Sequence, residues 1–131
     1  MPQTELVFYQ EAPGQVPVLE WLKDLRRGDS KAYSKCVAII ERLAAYGHEL
    51  RRPAADFLRD GIYELRAKQG RVNYRILYFF DGQNTVILAH ALTKTDKVPH
   101  ADLERALRRK IIFENSPQLH SYAEEVTDAE D

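Results

Sequence analysis

The chain is predicted to fold as an α+β domain, with helices packed on one face of an antiparallel sheet, and three observations lead there. Helical spacing of apolar residues fills positions 16–46, strand alternation fills 61–94, and a second helical stripe begins after Pro99. A run of helices followed by a run of strands, with one strand ahead of both, is the order of an α+β chain rather than of a parallel α/β one. This arrangement leaves the second face of the sheet open.

Glu5–Gln10 (ELVFYQ) is short and rich in β-formers, and Ala12, Pro13 and Gly14 break it, which gives a first strand and a turn. From Val16 onward, Val18, Leu19, Leu22 and Leu25 recur at helical spacing, with Pro17 near the start and Gly28 past the last of them. Asp29 or Ser30 caps a second helix, whose apolar stripe of Tyr33, Val37, Ile40, Leu43 and Ala44 stops at Gly47. Cys36 falls beside that stripe and reads as a small buried hydrophobe. His48–Asp60 is a polar connection. Three strands then run as a meander to Lys94, with a tight turn at Asp81 and Gly82. Pro99 suits a first helical position, and Leu103, Ala106, Leu107 and Ile111 carry a third helix to about Glu114. Residues 1–115 form one domain and residues 116–131 an acidic, flexible tail.

At 131 residues the chain is long enough to bury a core without disulfides or a structural metal. Its one cysteine makes no intrachain bridge, and no Cys/His cluster suggests a zinc site. No glycine-rich phosphate loop is present, so neither nucleotide nor other cofactor is expected. The first ten residues lack the pattern of a secretory signal and no stretch approaches the roughly 18 apolar residues of a membrane span; the expectation is a cytoplasmic protein that does not enter membranes.

The net charge of −1 conceals a division. The last sixteen residues hold five acids and no Lys or Arg, so the remainder of the chain is basic. Residues 51–110 alone contain thirteen Lys/Arg against seven Asp/Glu. Such a surplus suits a polyanion, because each cation that meets a phosphate releases condensed counterions.

Strand alternation places Arg71, Asn73 and Arg75 on one face and Val72, Tyr74, Ile76, Tyr78 and Phe80 on the other. Glu64 and Arg66 share a face of the preceding strand, Lys68 follows in the same alternation, and Lys94 and Lys97 stand at the exit of the last strand. Arg66, Arg71, Arg75 and Lys94 meet only one acid, Glu64, across these strands. Either Arg66 pairs with Glu64 and the others are solvated, or an anion normally sits among them. His90, inside an apolar strand, is the residue type of a general base but more often a satisfied core or edge group.

ELR at Glu64–Arg66, YRILYFF at Tyr74–Phe80, LTKTDKVP at Leu92–Pro99 and the DLERALRR helix after it together resemble the phage-derived HigB-like toxins of the RelE superfamily, the toxin halves of type II toxin–antitoxin modules. The resemblance covers about residues 6–114. It implies a small curved antiparallel sheet with two N-terminal helices and a C-terminal helix against one side. It also implies a ribosome-dependent mRNA endonuclease, held inactive by a helix-turn-helix antitoxin and meeting DNA only through that antitoxin. On this resemblance Arg75, Lys94 and Arg66 are the catalytic candidates and Lys97 an RNA-binding one; Arg71, Asn73 and Lys68 on the same basic sheet are further RNA-binding candidates, and His90 is an outside candidate for acid or base. Such cleavage proceeds by attack of the ribose 2′-hydroxyl and needs no metal. The alternative is a noncatalytic RNA-binding or regulatory partner of a helix-turn-helix protein.

Overall fold

The computed structural model describes residues 4–94 and 97–126 of the chain, and the side chain of Lys94 is outside that description. In order they form strand β1 (Glu5–Tyr9), helices α1 (Pro17–Gly28) and α2 (Ser30–Tyr46), strands β2 (Ala55–Arg59), β3 (Ile62–Gln69), β4 (Val72–Asp81) and β5 (Thr85–Lys94), helix α3 (His100–Asn115), and a two-residue strand β6 (Ser121–Tyr122).

The helical hairpin forms where the apolar spacing places it. Pro17 stands in the first turn of α1, where its missing N–H costs nothing, and the Glu20 carboxylate accepts a hydrogen bond from the Val16 N–H at 3.0 Å. Asp29 closes α1 and opens α2, its side chain accepting from the Ala32 N–H at 3.1 Å. Leu19 and Leu22 of α1 and Val37, Ile40 and Leu43 of α2 are buried against Leu65, Tyr74, Ile76, Tyr78 and Leu88 of the sheet.

The strands form one sheet in the order β2-β3-β4-β5-β1-β6. β2 to β5 are antiparallel neighbours, but β1 runs parallel to β5, with Val7 opposite Ile87, so the sheet is mixed rather than wholly antiparallel as expected. β2 lies inside the segment expected to be a polar connection. Its hairpin to β3 turns on Asp60 and Gly61, both at positive φ (51° and 84°), the conformation of a type I′ turn. The β3–β4 hairpin turns on Gly70, at φ 63°, and Arg71. Arg71 is therefore an exposed turn residue, and it does not join Asn73 and Arg75 on the sheet face as the alternation suggested.

The three helices do not pack on one side of the sheet as expected. α3 does not share a side with α1 and α2 but covers the opposite face. There Ala106 and Phe113 pack with Val7, Tyr9, Ile62, Leu77, Phe79, Ile87 and Leu92 in a second buried cluster. The reason lies in β4: Leu77 and Phe79 alternate with Ile76 and Tyr78, so the strand is apolar on both faces and needs cover on both. Ile111, expected in the apolar stripe of α3, is 60% exposed. Beyond residue 115, the boundary drawn from the sequence, β6 pairs antiparallel with β1, and Tyr122 and Val126 pack against the first cluster. No helix among the described residues is long and apolar enough to cross a membrane.

Candidate functional site

α3 covers only part of its face. Beside its first turn, β3 and β4 carry polar side chains around a hollow of about 520 Å³, whose polar lining is Glu64, Arg66, Asn73, Arg75 and Lys97 and whose apolar lining is Leu58, Val98 and Leu103. The register of the hairpin builds the polar part. Arg66 lies directly opposite Arg75, and Glu64, two residues back along β3, shares their face.

Glu64 is 2% exposed, and its carboxylate holds both arginines. Nη1 of Arg75 donates to Oε1 at 2.7 Å and to Oε2 at 2.8 Å, while Nε of Arg66 donates to Oε1 at 3.0 Å. Arg66 continues the chain outward: its Nη2 lies 3.4 Å from Oδ2 of Asp56, which in turn is 3.0 Å from Nε of Arg52. The neighbouring guanidinium of Arg52 and its hydrogen bond hold the Asp56 carboxyl below the usual carboxylate range. The Arg75–Glu64 pair is buried, so each partner depends on the other for its charge and is held in one orientation. Arg66, with its side chain 38% exposed, faces solvent.

Three cations and one carboxylate therefore line the hollow, which leaves it electropositive. Of the residues singled out from the sequence, it brings together Arg75, Arg66, Asn73 and Lys97. Lys68 is exposed further along β3, opposite Asn73, and Arg71 stands apart in the turn. The backbone of Lys94 pairs with Asn73, which places its register position beside the hollow. Thr95 and Asp96 lie outside the described residues. Glu64 is the residue whose importance the sequence understated: the ELR motif shows it as the partner of one arginine, and the structure shows it holding two.

His90 does not line this hollow. A β-bulge makes Leu77 oppose His90 and Tyr78 oppose Leu88, so Ala89 is the extra residue, and its carbonyl accepts from Nη1 of Arg109 on α3 at 2.7 Å. Beside it, Nε2 of His90 is 2.7 Å from Oδ1 of Asp102 and Nδ1 is 3.4 Å from Nη1 of Arg109. This fits a neutral ring that donates to Asp102 and accepts from Arg109, fastening α3 to the sheet. Burial, opposed by the hydrogen bond to Asp102, holds the imidazole below its ordinary value of 6.5.

The unfolded chain takes up a proton on His90 near pH 6.5 and the folded chain resists it, so His90 favours the fold above that pH and loses this contribution as pH falls through the folded-state value. The melting temperature is expected to drop between pH 7.5 and 5.5, and the slope should be shallower in His90→Gln. Parallel thermal-melt profiles for the two proteins would remove the histidine from this account.

Cys36 is fully buried, and burial pushes its thiol up to about 12, which leaves no thiolate for nucleophilic chemistry near neutrality. Among the described residues no cluster of three or more His, Cys, Asp or Glu side chains is arranged to hold a metal ion.

These features define a mixed-sheet α+β protein with helices on both faces and a cationic hollow at one end of the α3 face. The chain belongs to the family Phage derived protein Gp49-like (DUF891), whose family model matches residues 21–110, from the middle of α1 to the last turns of α3 and including every residue lining the hollow. That family is associated with toxin–antitoxin systems. No curated protein matches the sequence.

Proposed function

We propose that the protein is the toxin of a type II toxin–antitoxin module, an endoribonuclease of the HigB/RelE kind that cuts mRNA presented by the ribosome and is restrained by a helix-turn-helix antitoxin. One observation carries the reading. Two arginines on adjacent strands are oriented by a single buried carboxylate, at the wall of a cationic hollow of about 520 Å³. Membership of a toxin–antitoxin-associated family supports it.

The chemistry asks for little more than positioning and charge. The ribose 2′-oxygen attacks the adjacent phosphorus and gives up its proton; the bond to the 5′-oxygen breaks as that oxygen gains one, leaving a 2′,3′-cyclic phosphate and a 5′-hydroxyl. The negative charge building on the phosphoryl oxygens is met by guanidinium groups, which stay protonated and present parallel N–H donors. Arg66 and Arg75 take that role. Lys97 neutralises the phosphate or protonates the leaving oxygen, and Lys94 stands at a register position from which it assists. With His90 engaged between β5 and α3, the geometry of attack is left to the ribosome, so naked RNA is a poor substrate.

The test is to induce the gene with and without its neighbouring antitoxin gene and to map mRNA 5′ ends. Growth arrest with new 5′ ends inside translated frames, abolished by the antitoxin, is the expected result. Arrest without such ends would leave a noncatalytic RNA-binding protein, a reading favoured by the Glu64 carboxylate already held by Arg75. No arrest and no ribosome association would remove both.

A further inference from the structure

The cationic hollow does not end at Arg66. β2 pairs with β3 as far as Ala55 opposite Leu65, and after one more hydrogen bond, from the Arg66 N–H to the Ala54 carbonyl at 2.8 Å, β3 runs on beyond its neighbour to Gln69. Between that exposed stretch and α2 lies a second hollow of about 340 Å³. It shares Arg66 and Asn73 with the first and adds Arg42 of α2 and Lys68 of β3, with Pro53 and Ile39 among its apolar walls. Its lining includes no carboxylate. Arg42 and Lys68 are both exposed, and neither makes an ion pair among the described residues.

We propose that this second hollow is an extended RNA subsite, in which the strand bound at Arg66 and Arg75 continues round the edge of β3 so that Arg42 and Lys68 meet the phosphates outside the cleaved step. The inference rests on the nuclease reading and extends the protein's contacts from the cleaved step to the phosphates that flank it. Arg66 lines both hollows, which makes the cationic path continuous. The flexible backbone of a single strand suits a turn around a strand edge, where a duplex would not bend. Among the described residues, Asp56 and Glu64 hold the Arg66 guanidinium, while Arg42 and Lys68 are left for another anion. Glu124 and Glu125 line hollows beside Thr4, Leu6 and α1, at the β1–β6 side of the sheet, whereas β2 and β3 lie at the other side.

The experiment is fluorescence polarisation at low salt with labelled, uncleavable 2′-O-methyl RNA, a trinucleotide and an octanucleotide, on wild type, Arg42→Gln and Arg66→Gln. Wild type should bind the octanucleotide more tightly. Arg42→Gln should weaken the octanucleotide about fivefold, lower its log–log salt slope by about 0.7, and leave the trinucleotide unchanged, as loss of one phosphate contact on a single strand requires. Arg66→Gln should weaken both. If Arg42→Gln binds the octanucleotide like wild type while Arg66→Gln weakens both lengths, the extended subsite is overturned and the RNA reading of the first hollow stands. If wild type binds neither RNA, the extended subsite is overturned, and the nuclease reading is decided separately by the mRNA 5′ ends mapped after induction. An acidic peptide of matching charge that binds more tightly than the octanucleotide, and loses that advantage in Arg42→Gln, would assign the hollow to a protein partner and overturn the proposal.

Discussion

Glu64→Ala is expected to destabilise the fold by about 3–5 kcal/mol, the range found when one partner of a buried ion pair is removed and the other is left behind. The burial figures place it in that class. Glu64 is 2% exposed and the side chain of Arg75 10%, and the substitution strips Arg75 of both carboxylate oxygens while it remains between β3 and β5. Arg66 loses a partner too, but it is more exposed and keeps Asp56, so water and that carboxylate cover its loss. For a domain of this length the melting temperature should fall by roughly 10–20 °C. A double replacement, Glu64→Leu with Arg75→Met, separates the cost of an orphaned charge from the worth of the pair. Apolar side chains of similar size in place of a buried pair are often neutral or stabilising, so the double variant should melt near wild type while abolishing the proposed activity. If Glu64→Ala melted within 2–3 °C of wild type, the carboxylate would not hold the arginines in solution, and the site would lose its orienting element.

The parts of this architecture legible in the sequence are those fixed by local patterns. Pro17, Asp29 and the stripe of Val37, Ile40 and Leu43 mark the helical hairpin because caps and 3.6-residue spacing act within a few positions. The face shared by Asn73 and Arg75, and that shared by Glu64 and Arg66, follow from alternation, and their meeting in one hollow follows from adjacent strands. Long-range choices were less visible. The parallel pairing of β1 with β5 joins residues about eighty positions apart and leaves no local mark. The placement of α3 had a mark: Leu77 and Phe79 are apolar on the same face as Arg75, so that face needed a cover for part of its length. β2 had one as well, since Asp60–Gly61 is a strong signal for a two-residue hairpin turn and Phe57 and Leu58 precede it. His90 was ambiguous for a physical reason. A histidine in an apolar strand reads the same whether its partner is a substrate or, as here, Asp102 and Arg109 on a helix packed across it.

Arg75→Lys isolates the proposed chemistry from the fold. A lysine at this position keeps a positive charge beside Glu64, so the carboxylate is not left buried and alone, and the melting temperature should stay within a few degrees of wild type. What is lost is the planar fork, with its fixed set of donors and its freedom from deprotonation. If Arg75 meets the charge that grows on the phosphoryl oxygens, cleavage should fall by about 10²–10³-fold, the cost of losing one well-placed donor to a developing oxyanion, and induction should no longer arrest growth. Arg66→Lys makes the comparison sharper: its side chain is more exposed and turned toward solvent, so a defect of similar size there, with little change in melting temperature, would show two guanidiniums acting on one phosphate. Rates are read from mRNA 5′ ends on ribosomes after a brief induction, and stability from thermal melts of the same proteins. Full activity in Arg75→Lys would make the arginine a structural partner of Glu64 only, and the charge that stabilises the reacting phosphate would then have to come from Arg66 and Lys97 across the hollow.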